Sequence, residues 1–401
     1  MNTQILFKKT LIGCIAGLII QELYYTGYYN LTIFINATGP DQVGGYFTYI
    51  TNLVRELTLV DQKNFYVVYC NGEIYKRLKG YKKNFKIVNI SSIHGTNIVR
   101  FFWMQLLLPF ILIYHKTDIL FSPLNASPFI LKYFRIKSIL VIHSNLPWTN
   151  SQYLPYGQIK SFILKKLKEI SLKSSNMVIC VSQTARDELL HYTNVDPKIV
   201  NAIHLGFDER VEQISISNTN KYFLYVANSA IHHNHLNLLI GFNLFIQNTY
   251  YDYHLYLVMD NVDKNHYCEI MDSIRELKIS DYVTIKPPLD REELYKLYNG
   301  AKLYIFPSLA ETFGMTTLEA MAHGTPVICS NISAMPEING NAALYFNPVE
   351  PVEISEKIKL LIDNNDLYDK QIINGYERVR NYSWQKTAKK TIDVFAQLSN
   401  K

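Results

Sequence analysis

The stretch 307–348, PSLAETFGMTTLEAMAHGTPVICSNISAMPEINGNAALYFNP, constrains this chain more than any other. The apolar run 303–306 precedes it and stops at Pro307, as a buried strand does. Residues 308–315 read as a loop with one glycine, Gly314. Residues 316–322 read as a helix, with Thr316 as its N-cap, Gly324 as its stop and Pro326 just beyond. Residues 327–329 form the next strand. Strand, loop, helix, strand is the unit of a parallel α/β sheet. In such sheets ligands gather at the carboxyl ends of strands, against helix N-termini. Glu311 and the first turn after Gly314 fall there.

Glu311 and Glu319 stand eight residues apart. Thr316-x-x-Glu319 also fits a capping box, in which Glu319 only satisfies a backbone donor. A glycosidase-like acid/base pair is a second alternative. Along a continuous helix eight residues span roughly 12 Å, against roughly 5–5.5 Å between the carboxyl groups of retaining glycosidases. The spacing disfavours such a pair.

The segment resembles the signature of glycosyltransferase family 4, whose members are retaining enzymes. The shared pattern is P-S-x-x-E-x-F-G, then L-E-A-M-A-x-G-x-P-V. Here Pro307, Ser308, Glu311, Phe313, Gly314, Leu318, Glu319, Ala320, Gly324, Thr325, Pro326 and Val327 match, as does the later pair Pro336-Glu337. The resemblance implies that Glu311 binds hydroxyls of a donor sugar and that Glu319 holds the ribose of its nucleotide. The amides of Gly314, Met315 and Thr316 would meet sugar and phosphate oxygens, with Phe313 in the same donor-binding loop. Thr312 departs from the pattern, because glycine is common there; it is expected to narrow the pocket.

Other stretches fit the same resemblance, which covers residues 30–401. Residues 31–36 read as a buried strand, 39–45 as a glycine-bearing loop and 46–59 as a helix, a phosphate-binding layout. Gly44-Gly45 alone is only a turn; the resemblance places such a pair near donor phosphate and acceptor. His143 follows the strand 138–142 directly. A lone histidine is usually structural, but the resemblance implies contact with the donor sugar. After the strand 222–226 comes VANSAIHHNHLNLL. The family places an arginine here and a lysine about five residues later, both binding the donor pyrophosphate. Asn228 and His233 stand in those places, and neither is a permanent cation. His232, His233 and His235 invite a metal reading, but no further placed ligands accompany them. Hydrogen bonding to phosphate is the preferred reading. An imidazole beside a pyrophosphate is pushed toward its charged form, so donor affinity is expected to weaken as pH rises from about 6 to 8.

A chain of 401 residues suggests two domains. Its five cysteines, Cys14, Cys70, Cys180, Cys268 and Cys329, are scattered with no CxxC, which argues for a reducing compartment and against a disulfide framework or zinc site. Charge is uneven. Residues 1–215 carry 23 Lys+Arg and 13 Asp+Glu, and residues 216–401 carry 17 and 21. The basic first half suggests an anionic partner. Lys76, Arg77, Lys79, Lys82, Lys83 and Lys86 cluster there, as a solvated loop or as contacts to an anionic acceptor or lipid headgroups. In the amphipathic helix 159–173, Ile159, Phe162, Ile163, Leu167 and Ile170 share one face; core packing and membrane-surface contact are both open. Lys8-Lys9 precedes the uncharged run 10–20, roughly 16 Å as a helix and short of the about 30 Å of a bilayer core. A packed or membrane-dipping helix is favoured there over a signal peptide or anchor.

The expected fold is therefore α/β, of the GT-B kind, with two Rossmann-like domains facing across a cleft. Residues 1–214 form the acceptor-binding domain, with 1–29 as an N-terminal extension. Residues 215–383 form the nucleotide-sugar domain, after a hinge at 215–221, and 384–401 form a helix crossing back. The expected reaction is retaining transfer of a hexose-type sugar from a nucleotide-diphosphate sugar, without cofactor or metal. The expected acceptor is a lipid-linked glycan of surface polysaccharide biosynthesis. No nucleic-acid motif is present. The expected location is cytoplasmic, peripheral at an anionic membrane on the inner face of the plasma membrane. A catalytically degenerate partner subunit and another nucleotide-sugar enzyme, such as an epimerase, are the alternatives.

Overall fold

The computed structural model describes residues 29–39, 44–81, 84–90, 97–154, 157–207 and 221–399. The apolar run 10–20, nearly all of the hinge 215–221, and Lys82 and Lys83 lie outside them.

Two parallel sheets carry the fold. The first contains β1 (Thr32–Ala37), β2 (Phe65–Cys70), β3 (Phe85–Asn89), β4 (Ile119–Ser122), β5 (Lys137–Ile142), β6 (Met177–Cys180) and β7 (Val200–Ala202), in the order β3-β2-β1-β4-β5-β6-β7. The second contains β8 (Tyr222–Val226), β9 (His254–Val258), β10 (Val283–Lys286), β11 (Leu303–Phe306), β12 (Val327–Ser330) and β13 (Ala343–Phe346), in the order β10-β9-β8-β11-β12-β13. Both sheets thus run outward in two directions from an adjacent first and fourth strand, the doubly wound order of a Rossmann fold. The ligand-binding position in the second sheet is the point where β8 and β11 lie side by side, with Leu303 beside Phe223 and Tyr304 beside Leu224. All four residues of β11 are buried, as helices on both faces of a parallel sheet require.

The chain divides into two compact units. The first is Met1–Val141 with Ser171–Met177 and Thr391–Lys401; the second is Ile142–Ile170 with Val178–Lys390. In the first, Phe34, Val67, Tyr69 and Leu120 on the sheet pack against Trp103, Met104, Leu108 and Leu112. Those four belong to a continuous helical run made of Asn97–Phe102, a π turn Trp103–Leu107 and Leu108–Tyr114, for which the sequence reading had no element. The last helix, Trp384–Ser399, packs Phe395 against the other face of this sheet, 5.6 Å from the ring of Phe121.

Two local expectations are corrected. The helix after Gly314 is Met315–Ala322, and its N-cap is Gly314 in the left-handed conformation, so Thr316 lies inside the first turn and no capping box forms. The helix Gln158–Ser174 does not bury the face drawn from its sequence: Ile159 is 80% exposed and Phe162 61%. Ser161 faces inward instead.

Candidate functional site

The site is built in the second unit, at the carboxyl ends of β8 and β11. From β11 the chain turns through residues 308–314 into the helix Met315–Ala322. Gly314 is required twice over. Its φ is +78°, and a Cβ there would lie 2.3 Å from Cε of Met335. This turn points backbone amides at the Glu311 side chain. Burial raises that carboxyl to about 7, against the amides of Thr312, Phe313 and Gly314, which pull it down. The Thr312 amide donates to Oε1 at 3.2 Å. At neutral pH Glu311 can therefore be either a carboxylate or a hydrogen-bond donor.

Thr312 has a partner that the sequence did not suggest. Its hydroxyl donates to the backbone carbonyl of His143 at 2.6 Å, so the residue that departs from the family pattern joins the loop of Glu311 to His143 within the second unit. Just beyond, Nδ2 of Asn145 donates to the carbonyl of Ala185 (2.7 Å) and to Oε2 of Glu188 (3.0 Å). Burial raises Glu188, and Asn145 partly offsets it.

The loop after β8 supplies the third wall. Asn228 accepts from the amide of Ala230 at 3.0 Å. The carbonyl of His232 accepts from the Leu309 amide (2.7 Å) and the Ser308 hydroxyl (3.2 Å), and that of His233 from Tyr225 Oη (2.7 Å). Asn234, with φ of +62°, donates to the carbonyls of Pro307 and Pro348. Those two carbonyls are thus committed, and the loop brings two imidazoles together with ring centroids 4.1 Å apart. Burial pushes His232 down to about 4, His235 down to about 3, and His233 well below the usual range, where its two neighbours push the same way. Burial keeps these rings uncharged at neutral pH.

His143, His233 and Glu311 line one cleft of about 180 Å³, together with Asn145, Glu188, His232, Thr312 and Ser333. The other predicted site residues are placed differently. Gly44 and Gly45 belong to the first unit, at the start of the helix Gly45–Val60. A Cβ on Gly45 would meet nothing within 4 Å. Asn228, Gly314, Met315 and Thr316 are not among the lining residues; they lie in the two loops and the first helical turn. Phe313 is buried, its ring 5.7 Å from that of Tyr382. Glu319 accepts from Tyr298 Oη at 3.0 Å. Sequence reading missed Glu188 and Ser333, which reach the cleft only because the fold brings distant segments together.

Pro336-Glu337, noted in the sequence only as a match, has a structural task. Glu337 accepts from the amides of Gln183 (2.8 Å) and Thr184 (2.7 Å), at the N-terminus of the helix Gln183–Tyr192. It also meets the Thr184 hydroxyl and Nε2 of His204, both at 2.6 Å. Despite burial, which acts the other way, these hydrogen bonds hold its carboxyl at about 2. This anchor fixes the segment after β6 to the segment after β12, near the cleft walls in sequence.

Comparison with known proteins decides the family. The pattern of glycosyl transferases group 1 matches residues 207–378, and that of glycosyltransferase family 4 matches residues 43–211. The chain belongs to glycosyltransferase family 4. One relative, from Salmonella typhimurium, is named O-antigen chain mannosyltransferase RfbU; it is 27% identical over 266 residues, 63% of this chain and 70% of its own. Among solved structures, a glycosyltransferase from Rickettsia africae superposes with a TM-score of 0.70 at 19% identity, covering 93% of this chain and 99% of its own. The Anabaena protein HepE, solved in complex with UDP, gives a TM-score of 0.70 at 13% identity, over 92% of this chain and 100% of its own. The fold is thus GT-B, with two Rossmann-like sheets. Among the described residues that line the cleft there is no lysine or arginine. Among the described residues no group of three or more His, Cys, Asp or Glu is placed to hold a metal ion, the histidines after β8 included.

Proposed function

We propose that the cleft binds a nucleotide-diphosphate sugar and that the enzyme transfers its hexose-type sugar to a glycan acceptor with retention of anomeric configuration. The observation that carries this reading is the meeting of Glu311, His143, His232 and His233 on one cleft, where burial raises the Glu311 carboxyl. As a carboxylate it faces the positive charge that develops on an oxocarbenium-like sugar; protonated, it holds a sugar hydroxyl. Glu319 holds the ribose, and the amides from Gly314 onward meet the departing diphosphate at a helix N-terminus. His233, kept neutral by burial, donates to phosphate and takes up a proton as the donor binds. The departing phosphate itself takes the proton of the acceptor hydroxyl, and no resident metal takes part.

Residues 1–214 then act as the acceptor domain and 215–383 as the donor domain, with 384–401 returning to the first. Gly44 and Gly45 act near donor phosphate and acceptor. The acceptor is a lipid-linked glycan of surface polysaccharide, O-antigen, capsule or exopolysaccharide, handled on the cytoplasmic side of the membrane. The name of the Salmonella relative makes mannose the first donor sugar to test. No described helix is long and apolar enough to cross a membrane.

The cation-free lining favours a second reading, a partner subunit with a degenerate donor site. Product analysis separates the readings. Free nucleotide with a new glycosidic bond supports the transferase, no turnover supports the subunit, and an isomerised donor sugar supports an epimerase.

A further inference from the structure

The helical run 97–114 of the first unit is apolar on both sides. Its inner side is core: Trp103, Met104, Leu108 and Leu112 are buried against the sheet. Its outer side carries Val99, Phe102, Leu106, Phe110 and Ile113, which are 47, 55, 59, 70 and 49% exposed. Their spacing places them along one stripe of the helix. Water gives no reason for such a face, and a contiguous apolar surface of this kind marks an interaction site. A second segment lies beside it. Gln105 Oε1 accepts from the amide of Phe129 at 2.9 Å, and the short helix Phe129–Tyr133 that follows ends on Tyr133, 77% exposed, with Phe134 at 40%. Lys116, Lys132 and Arg135 are exposed around these side chains. Between residues 97 and 135 the sequence holds one acid, Asp118, whose carboxylate accepts from the amide of Thr32 at 2.7 Å.

We propose that this face of the first unit docks on an anionic lipid bilayer. The helix lies in the plane of the headgroups, its stripe enters the acyl boundary, and the flanking cations meet lipid phosphate. An acidic protein surface would match the cations but leave an apolar stripe of this length without a counterpart. The inference stands on the first unit alone and does not depend on the donor reading.

The test uses the full chain, sedimented with vesicles of phosphatidylcholine alone or with added phosphatidylglycerol. Partition should rise with the anionic fraction. It should fall by about tenfold in a Leu106→Ser, Phe110→Ser, Tyr133→Ser variant, and Lys132→Glu with Arg135→Glu should remove the preference for anionic lipid. As a check that does not strip the surface, Phe110→Trp should add emission that brominated acyl chains quench. Undiminished binding by the triple variant, or emission from Phe110→Trp that brominated lipid leaves unchanged, would overturn the proposal. So would vesicle binding that disappears only when residues 1–28 are deleted. A change of oligomeric state in the triple variant, with no vesicle binding by the parent chain, would assign the face to a second copy instead.

Discussion

Two loops leave the carboxyl ends of the adjacent strands β8 and β11, and they become polar in different ways. The loop after β11 draws its polarity from backbone. Gly314 turns the chain so that amides converge on Glu311, and Met335 packs where any side chain at 314 would have to go. The loop after β8 commits the carbonyls of His232 and His233 to Leu309, Ser308 and Tyr225, and its imidazole rings line the cleft. Amides cannot lose their polarity with pH, whereas buried imidazoles stay neutral until an anion arrives. The first loop is therefore poised in advance, and the second responds to what binds.

The largest effect should come from breaking the first loop's chemistry. Glu311→Gln keeps size and hydrogen bonding but fixes the group as uncharged. Steady-state assays should show kcat/KM reduced by about a hundredfold to ten-thousandfold, with an unfolding midpoint close to that of the parent. A loss under tenfold would remove Glu311 from the chemistry. Gly314→Ala attacks the same loop through its backbone. The positive φ and the Met335 contact should cost about 1–3 kcal/mol in urea unfolding, and a neutral outcome would mean that the turn is not held as described.

The contrast between the loops is sharpened by His233→Lys. Burial holds His232 at about 4 and His233 well below its usual range. A bound diphosphate raises an imidazole that faces it, so binding takes up a proton and affinity falls as pH rises through the raised value. Glu311, raised to about 7 by burial, is pushed the same way by an anion and adds to the same slope. A permanent cation at 233 should tighten donor binding by about tenfold at pH 8 and flatten the slope between pH 6 and 8, as read by calorimetry. If the variant keeps the parent's pH dependence, His233 does not meet the phosphates.

The smallest effect concerns the link between Glu311's loop and His143. Thr312→Val removes the hydroxyl that donates to the His143 carbonyl. It should lower kcat/KM about fivefold, the worth of one such bond, while Thr312→Ser should restore it. Equal loss in both variants would mean that the methyl group, not the hydroxyl, matters at this position.

Much of this was legible in the sequence, and the gaps have physical causes. Strands β8 and β11 fall where apolar runs meet turn residues, and their ends were read to the residue. The helix start at Gly314 was misread because a threonine looks like a better cap than a glycine; the left-handed turn that lets glycine open this helix leaves no mark in composition. The run 97–114 was missed because it is apolar on both sides, so no period of 3.6 stands out, and Pro109 suggests a break. In the helix Gln158–Ser174 the sequence grouped Ile159 and Phe162 on one face but left open whether that face packs; both are exposed, since hydropathy alone is a poor guide to which face packs. Within the cleft, His143 and His233 came from the resemblance to the family, and Glu311 from the resemblance and from its place after a strand end. Glu188 could not, because nothing around it in the sequence distinguishes it from a solvated helix residue.

The most direct test of donor binding in this cleft is a titration of the purified protein with UDP-, GDP-, dTDP- and ADP-sugars by ligand-observed NMR, with Glu319→Ala as the control. The account predicts that one nucleotide class binds, more weakly at pH 8 than at pH 6, and that binding disappears in the variant. A folded protein that binds none of them would contradict it and favour the partner-subunit reading.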